Sequence, residues 1–384
     1  MDIPTILNHL GEEHERYYNA VAPPLIQSSN FCVKSVEELR HVLRNEFAVP
    51  FYTRGNNPTV SILRTKIAAL EGAGDALVFA SGTAAITASV MSVVKGGDHV
   101  VCVQKPYSWT FALLNKYLPD YGVKATMVDG RNTENIEKAI TPATKLIYLE
   151  SPNSITFELQ DIDEVARLAK KRGITTVIDN SNASPLCQSP LAMGIDLVLH
   201  SASKYLGGHS DMVAGVVCGS KERINNMFSK EFMNLGGIIS PHDAWLMIRS
   251  LRTLELRVKK SAEVTQQVVN RLEGHPKIEK VYYPFAKSNP QLALAKKQMK
   301  SGTGLFSLQL KTDDAGIERF VNSLKRFVIA TSWGGHESLV FPFCAMPETA
   351  RAVSGVPSNL VRLYIGIDET EYLMEDLSSA LAKI

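Results

Sequence analysis

Two short runs limit this chain more than anything else in it. The run at 174–180 is apolar and β-branched and stops at Asp179. The run that opens at Leu197 is also apolar and ends at Ser201, Ser203 and Lys204. Such runs read as strands buried on both faces of a parallel sheet. In open α/β sheets the carboxyl ends of these strands form the ligand crevice. A carboxylate, a lysine and hydroxyls gathered there suit pyridoxal phosphate. The amine condenses with the aldehyde, the carboxylate faces the pyridinium nitrogen, and the hydroxyls take phosphate oxygens.

The same alternation runs through the preceding part. Strands are expected at 75–80, 99–103, 124–128 and 145–149, with helices at 60–70 and 162–171, the second capped by Gly173. A mostly parallel sheet with helices on both faces follows. A further β run covers 212–218, and one long helix is expected from Ser240 to about Glu273 through Arg249, Arg252 and Arg257. Later strands are shorter and less apolar, as in a smaller α+β domain. The expected division is an N-terminal arm at 1–50, a large cofactor domain at 51–245 and a small C-terminal domain at 246–384. The Pro23-Pro24 pair forces an extended segment. It suits either an arm reaching beyond its own core or an ordinary leading helix and loop.

Composition excludes several function classes. Hydrophobic content of 45% and charged content of 21% allow a large core. A net charge of +2 with no basic tract argues against nucleic acid as partner. No apolar run approaches the roughly 20 residues of a membrane span, and the first residues lack a signal-peptide pattern. The five cysteines are scattered and never spaced as CxxC, so reduced thiols in a cytoplasmic protein are expected, with no disulfide framework and no metal.

Other candidates are weaker one by one. Tyr52 and Arg54, two apart on an expected extended segment, would point the same way and could clamp a phosphate; both could equally be solvated. Ser81, Gly82 and Thr83 follow a strand and open a helix, which is either a phosphate cradle or a plain βα turn. Tyr107 at a strand exit could stack on a flat ring or pack on a helix. Arg362 lies inside a strand, where it either holds a carboxylate or faces water at an edge. Ser201 to Lys204 fits S-x-x-K, but that motif should open a helix and have S-D-N and K-T-G companions, which are missing.

In this order the motifs resemble the cysteine/methionine-metabolism family of pyridoxal-phosphate enzymes, the transsulfuration group. The carriers are Tyr52 and Arg54 with Asn57-Pro58-Thr59, the 81–85 turn, Tyr107, Glu150-Ser151-Pro152, Asp179-Asn180, the Ser201–Lys204 motif with Gly208 to Asp211, the 249–254 run, Ser332 to Leu339, and Arg362. The resemblance implies the aspartate-aminotransferase-like fold, fold type I, and a homodimer as minimal unit, usually within a homotetramer. It implies that Lys204 carries the cofactor and acts as general base, and that Asp179 holds the ring nitrogen protonated. Ser81, Gly82, Thr83, Ser201 and Ser203 would serve the phosphate, with Tyr52 and Arg54 reaching it from the neighbouring subunit. Tyr107 would stack on the ring and relay a proton. Arg362, helped by Ser332 and by the stretch at Ser154, would grip the substrate carboxylate.

The implied activity is carbon–sulfur cleavage of an amino acid. Ser154-Ile155 after Glu150-Ser151-Pro152-Asn153, and Ser332-Trp333, resemble the enzymes that cleave cystathionine by β-elimination to homocysteine, pyruvate and ammonia. Thr331 stands where γ-acting cystathionine enzymes carry a glutamate. Asn57-Pro58-Thr59 is the γ-type form, which keeps γ-synthase, γ-lyase and methionine γ-lyase activity as alternatives. A non-catalytic protein that retains the fold is the alternative from another class.

Overall fold

Seven strands build the sheet that carries both reactive tips: β1 (Asp75–Phe79), β2 (His99–Val103), β3 (Lys124–Val128), β4 (Thr144–Glu150), β5 (Thr175–Asp179), β6 (Leu197–Ser201) and β7 (Gly215–Gly219). Their order is β1-β7-β6-β5-β4-β2-β3. All pairings are parallel except those of β7, which runs against both β1 and β6. One reversed strand between two others leaves β1 pointing the same way as β6. The carboxyl ends of β1, β2, β4, β5 and β6 therefore share one edge. The register sets Glu150 beside Asp179, and Asp179 beside Leu199.

Alternating side chains explain why these runs are apolar throughout. Leu197, Leu199, Val177 and Tyr148 pack in a cluster on one face; Val198, Ile178, Ile147 and Leu149 pack in another on the opposite face. The covering helices begin and end on local signals. Asn57 caps Pro58–Glu71, Ser81 caps Gly82–Met91, and Asp161 caps Ile162–Arg172, which Gly173 closes in the left-handed region.

A second sheet holds β8 (Ile278–Tyr282), β9 (Leu305–Leu310), β10 (Val328–Ile329), β11 (Leu339–Pro342) and β12 (Leu360–Tyr364), in the order β10-β11-β12-β9-β8. It has its own apolar cluster, from Val264 to Leu381 in sequence. The computed structural model describes residues 1–384, the side chains at 350, 352 and 353 excepted. Among the described residues no helix is long and apolar enough to cross a membrane.

Three local expectations need correction. The single helix from Ser240 is two, Pro241–Leu251 and Leu254–Leu272. The Ser250 carbonyl accepts from the Thr253 hydroxyl at 3.1 Å and from Arg257 Nη2 at 3.0 Å, and the chain turns there. The run at 212–218 pairs as strand only from Gly215, because Ser203 takes the Ala214 amide and carbonyl. Arg54 sits in a turn, not an extended segment, since the amides of Gly55 and Asn56 both donate to the Tyr52 carbonyl. The leading segment is also tied to its own core. Trp245 Nε1 donates to the Pro23 carbonyl at 2.9 Å, and the Thr59 hydroxyl to that of Pro24 at 3.1 Å.

Candidate active site

Asp179 ends β5 and is buried. Its Oδ1 accepts from the Ser181 amide at 2.9 Å and the Ser181 hydroxyl at 2.5 Å. Oδ2 has no protein partner among the described residues. Burial pushes this carboxyl above its ordinary value; the Ser181 bonds and the nearby His200 and Lys204 oppose the rise. The Ser181 hydroxyl also accepts from the Ser201 amide at 2.7 Å, so one side chain links the tips of β5 and β6.

Lys204 follows β6 in a tight turn, its amide donating to the Ser201 carbonyl. The Nζ donates to the Ser332 hydroxyl at 2.6 Å and lies 5.6 Å from the centre of the Trp333 ring. Burial and the charge of Arg362 push its pKa down to about 8, against the pull of Asp179. The 332–335 loop closes directly on this lysine. Ser332 has φ of 74°, a region that favours glycine. A Cβ on Gly334 would come within 2.7 Å of the Lys204 and Tyr205 backbone.

The β1 tip leads into Ser81, whose hydroxyl accepts from the Ala84 amide at 3.0 Å. Gly82 is pressed against Ser201: a Cβ there would meet the Ser201 side chain at 2.9 Å. Thr83 is exposed. The Ser203 hydroxyl accepts from the Ala214 amide at 3.0 Å and donates to its carbonyl at 3.3 Å. The turn at 81–83 and the Ser201 hydroxyl thus stand together at a helix start.

Tyr107 precedes the helix Ser108–Ala112 and is half-exposed. Burial pushes its phenol up; Thr83 opposes the rise, and Asp179 and Glu150 add to it. Arg362, on β12, donates from Nη1 to the Ser154 carbonyl at 3.1 Å. Burial pushes this guanidinium down to about 10, against the pull of Glu150. Ser154 is partly buried in the loop after β4.

Tyr52 and Arg54 stand apart. They line a cavity of about 440 Å³ with residues 27–29, Gly236, Ile238 and Pro241. The Arg54 guanidinium carbon lies 5.7 Å from the Tyr52 ring centre. Among the described residues no hydrogen bond, ion pair or ring contact joins either to Lys204, Asp179 or the 81–83 turn.

Sequence reasoning assigned no role to three buried groups here. Ser181 could have been found only as a hydroxyl two residues past the acid. His200 Nε2 lies 2.5 Å from Glu71 Oε1, a buried pair that crosses from β6 to the helix Pro58–Glu71. Glu150 closes an apolar run as Asp179 does, and that was the available signal.

The donor set fits pyridoxal phosphate. Asp179 keeps one oxygen without a protein partner among the described residues, Lys204 is a half-buried amine with a lowered pKa, and Gly82 brings the start of its helix so close to Ser201 that a Cβ there would meet the Ser201 side chain at 2.9 Å. Fold and site together define a fold-type-I pyridoxal-phosphate enzyme. The model of the family described as "Cys/Met metabolism PLP-dependent enzyme" matches residues 4–382, and the chain belongs to that family. It is 36% identical to an L-methionine gamma-lyase from Pseudomonas putida, over 97% of this chain and 95% of that protein. It is 35% identical to a cystathionine beta-lyase from Lactococcus lactis, over 99% of each. The crystal structure of metB from Corynebacterium glutamicum superposes with a TM-score of 0.94 at 34% identity, covering 100% of this chain and 98% of that one. The cofactor and the fold expected from the motifs are thereby borne out.

Proposed function

We propose that this chain is a carbon–sulfur lyase that cleaves cystathionine by β-elimination to homocysteine, pyruvate and ammonia. The observation that carries this is Lys204 Nζ, a half-buried amine held by Ser332 beside the Trp333 ring, with the charges of Asp179 and Arg362 both acting on it.

Pyridoxal phosphate, when bound, supplies an electron sink for negative charge at the substrate α-carbon. Asp179 Oδ2 would hold the ring nitrogen protonated. Gly82, Thr83 and the hydroxyls of Ser81, Ser201 and Ser203 would cradle the phosphate. Arg362 would take the substrate carboxylate in a charge-assisted pair, with Ser332 and the Ser154 stretch beside it. Lys204 Nζ, near pKa 8, is unprotonated often enough at neutral pH to take the α-proton. Tyr107 would stack on the ring and pass a proton towards the departing sulfur. Lys204, Asp179 and Tyr107 are all present, so nothing favours a non-catalytic role.

A second reading is γ-elimination. The γ-type Asn57-Pro58-Thr59 and the 36% identity to a protein named L-methionine gamma-lyase favour it. Purified protein supplied with cystathionine decides: pyruvate supports β-cleavage, and 2-oxobutyrate overturns it in favour of γ.

The exposure of Tyr52 and Arg54 on their own chain supports a proposed assembly. A homodimer in which each copy sends these two residues to the other's phosphate is the minimal active unit, within a homotetramer. The arm at 1–50, with Tyr18 and Val21 fully or almost fully exposed, would serve the same contacts, leaving 51–245 and 246–384 as large and small domains. Five free cysteines suit a reducing compartment, the cytoplasm.

A further inference from the structure

Glu150 has no part in the chemistry above, yet both of its carboxyl oxygens are engaged by loops of the site. It ends β4 with its side chain buried. Oε2 accepts from the Tyr107 amide at 2.7 Å, and Oε1 from the Ser154 amide at 3.1 Å. The Ser154 carbonyl in turn accepts from Arg362 at 3.1 Å. The carboxyl group thus joins the exit of β2 to the loop after β4, and through Ser154 that loop reaches β12 of the second sheet.

We propose that Glu150 is a positioning residue that fixes the Tyr107 ring and the Arg362 guanidinium relative to each other, so that cofactor stacking and carboxylate capture are set by one group. This rests on the roles of Tyr107 and Arg362 given under the proposed function.

The residue type follows from what surrounds it. Both incoming groups are N–H donors, and a carboxylate is the side chain that accepts from both. A glutamine would turn its NH₂ towards one of them and leave that amide unpaired. An aspartate falls one methylene short of spanning the two loops. Fold stability alone gives poor reason for the group. It lies beside Asp179 in register, and two neighbouring buried carboxylates repel. Burial and Asp179 push the Glu150 carboxyl up, while the amides of Tyr107 and Ser154 pull it down and favour the carboxylate. An apolar residue would avoid that cost but would free both loops.

The test uses the cofactor-loaded enzyme and two probes followed by visible absorbance: glycine, which has an α-carboxylate and no leaving group, and methylamine, which lacks the carboxylate. For Glu150→Gln the glycine Kd should rise about tenfold, as for one lost charge-assisted contact, and the methylamine Kd should stay within about twofold. The absorbance maximum should also move, because Tyr107 shifts on the ring. In Glu150→Gln/Arg362→Lys the glycine loss should not exceed that of Arg362→Lys alone. Equal weakening of both probes, or losses that add in the double variant, would overturn the proposal. If Arg362→Lys alone leaves glycine binding unchanged, the carboxylate role of Arg362 fails instead, and the Glu150 result separates the two. Should Glu150→Gln fail to hold cofactor, Glu150→Asp keeps the charge, gives up reach, and decides by the same glycine-to-methylamine ratio.

Discussion

Lys204 reaches its partners within one chain, whereas Arg54 reaches none of them. The lysine donates to Ser332, lies beside Trp333 and feels both Asp179 and Arg362. Among the described residues the arginine meets only the Tyr52 ring, at the rim of a cavity of about 440 Å³. Strand tips are placed by a backbone ladder with apolar packing on both faces, so they are finished without help. Arg54 stands in a turn next to an extended leader, with nothing of its own chain to grip. The contrast separates the part of the site that one chain completes from the part that, in the proposed dimer, a second copy would complete.

The sharpest way to break the contrast is at its finished end. On the proposed roles Lys204→Ala removes both the anchoring amine and the base, and kcat should fall by about 10³-fold or more. The variant should lose the visible absorbance of the covalently held cofactor. Turnover within an order of magnitude of the native rate would mean that another group does this work.

Arg54→Ala attacks the unfinished end, with a smaller effect. If Arg54 pairs with the phosphate as proposed, its loss should weaken cofactor retention by about 10- to 100-fold, read by dialysis and absorbance. Mixing Arg54→Ala with Lys204→Ala makes the comparison sharper. Random exchange places half the dimers in hybrid form, each with one intact site if sites are shared across a twofold axis, so roughly a quarter of native activity should return. No recovery after verified exchange would place Arg54 at its own chain's site.

The two regions also differ in how they could be read from residues alone. The strand at His99–Val103 falls where its apolar run puts it, because a buried parallel strand has a continuous signature. Asp179 and Lys204 are legible for the same reason: each is a polar group that halts such a run. The break between Leu251 and Leu254 is not legible, since it depends on Thr253 and Arg257 both turning to one carbonyl. Glu150 halts a run as plainly as Asp179 does, but its meaning lies in two amides 43 and 4 residues away. Pattern shows where a strand stops; only the folded chain shows which loops come to meet its tip.

The smallest expected effect concerns the half-buried amine itself. Its folded pKa is pushed down to about 8, against 10.5 for an ordinary lysine. Below pH 8 the cofactor-free protein carries an ammonium in a site that disfavours it. Between pH 8 and 10.5 the folded state has released this proton while the unfolded chain still binds it. Stability therefore rises with pH across that window, since the unfolded state holds more protons. Lys204→Met has no such group and cancels every other titration. The native chain's stability relative to Lys204→Met, read as urea midpoints of the two cofactor-free proteins, should climb from pH 8 to 10.5. The gain should be on the order of 1 kcal/mol, less than the full shift allows because the amine is not wholly shut off from water. A flat difference would show that the amine titrates normally in the folded chain, and the proton acceptor at the α-carbon would then need a different explanation for working near neutral pH.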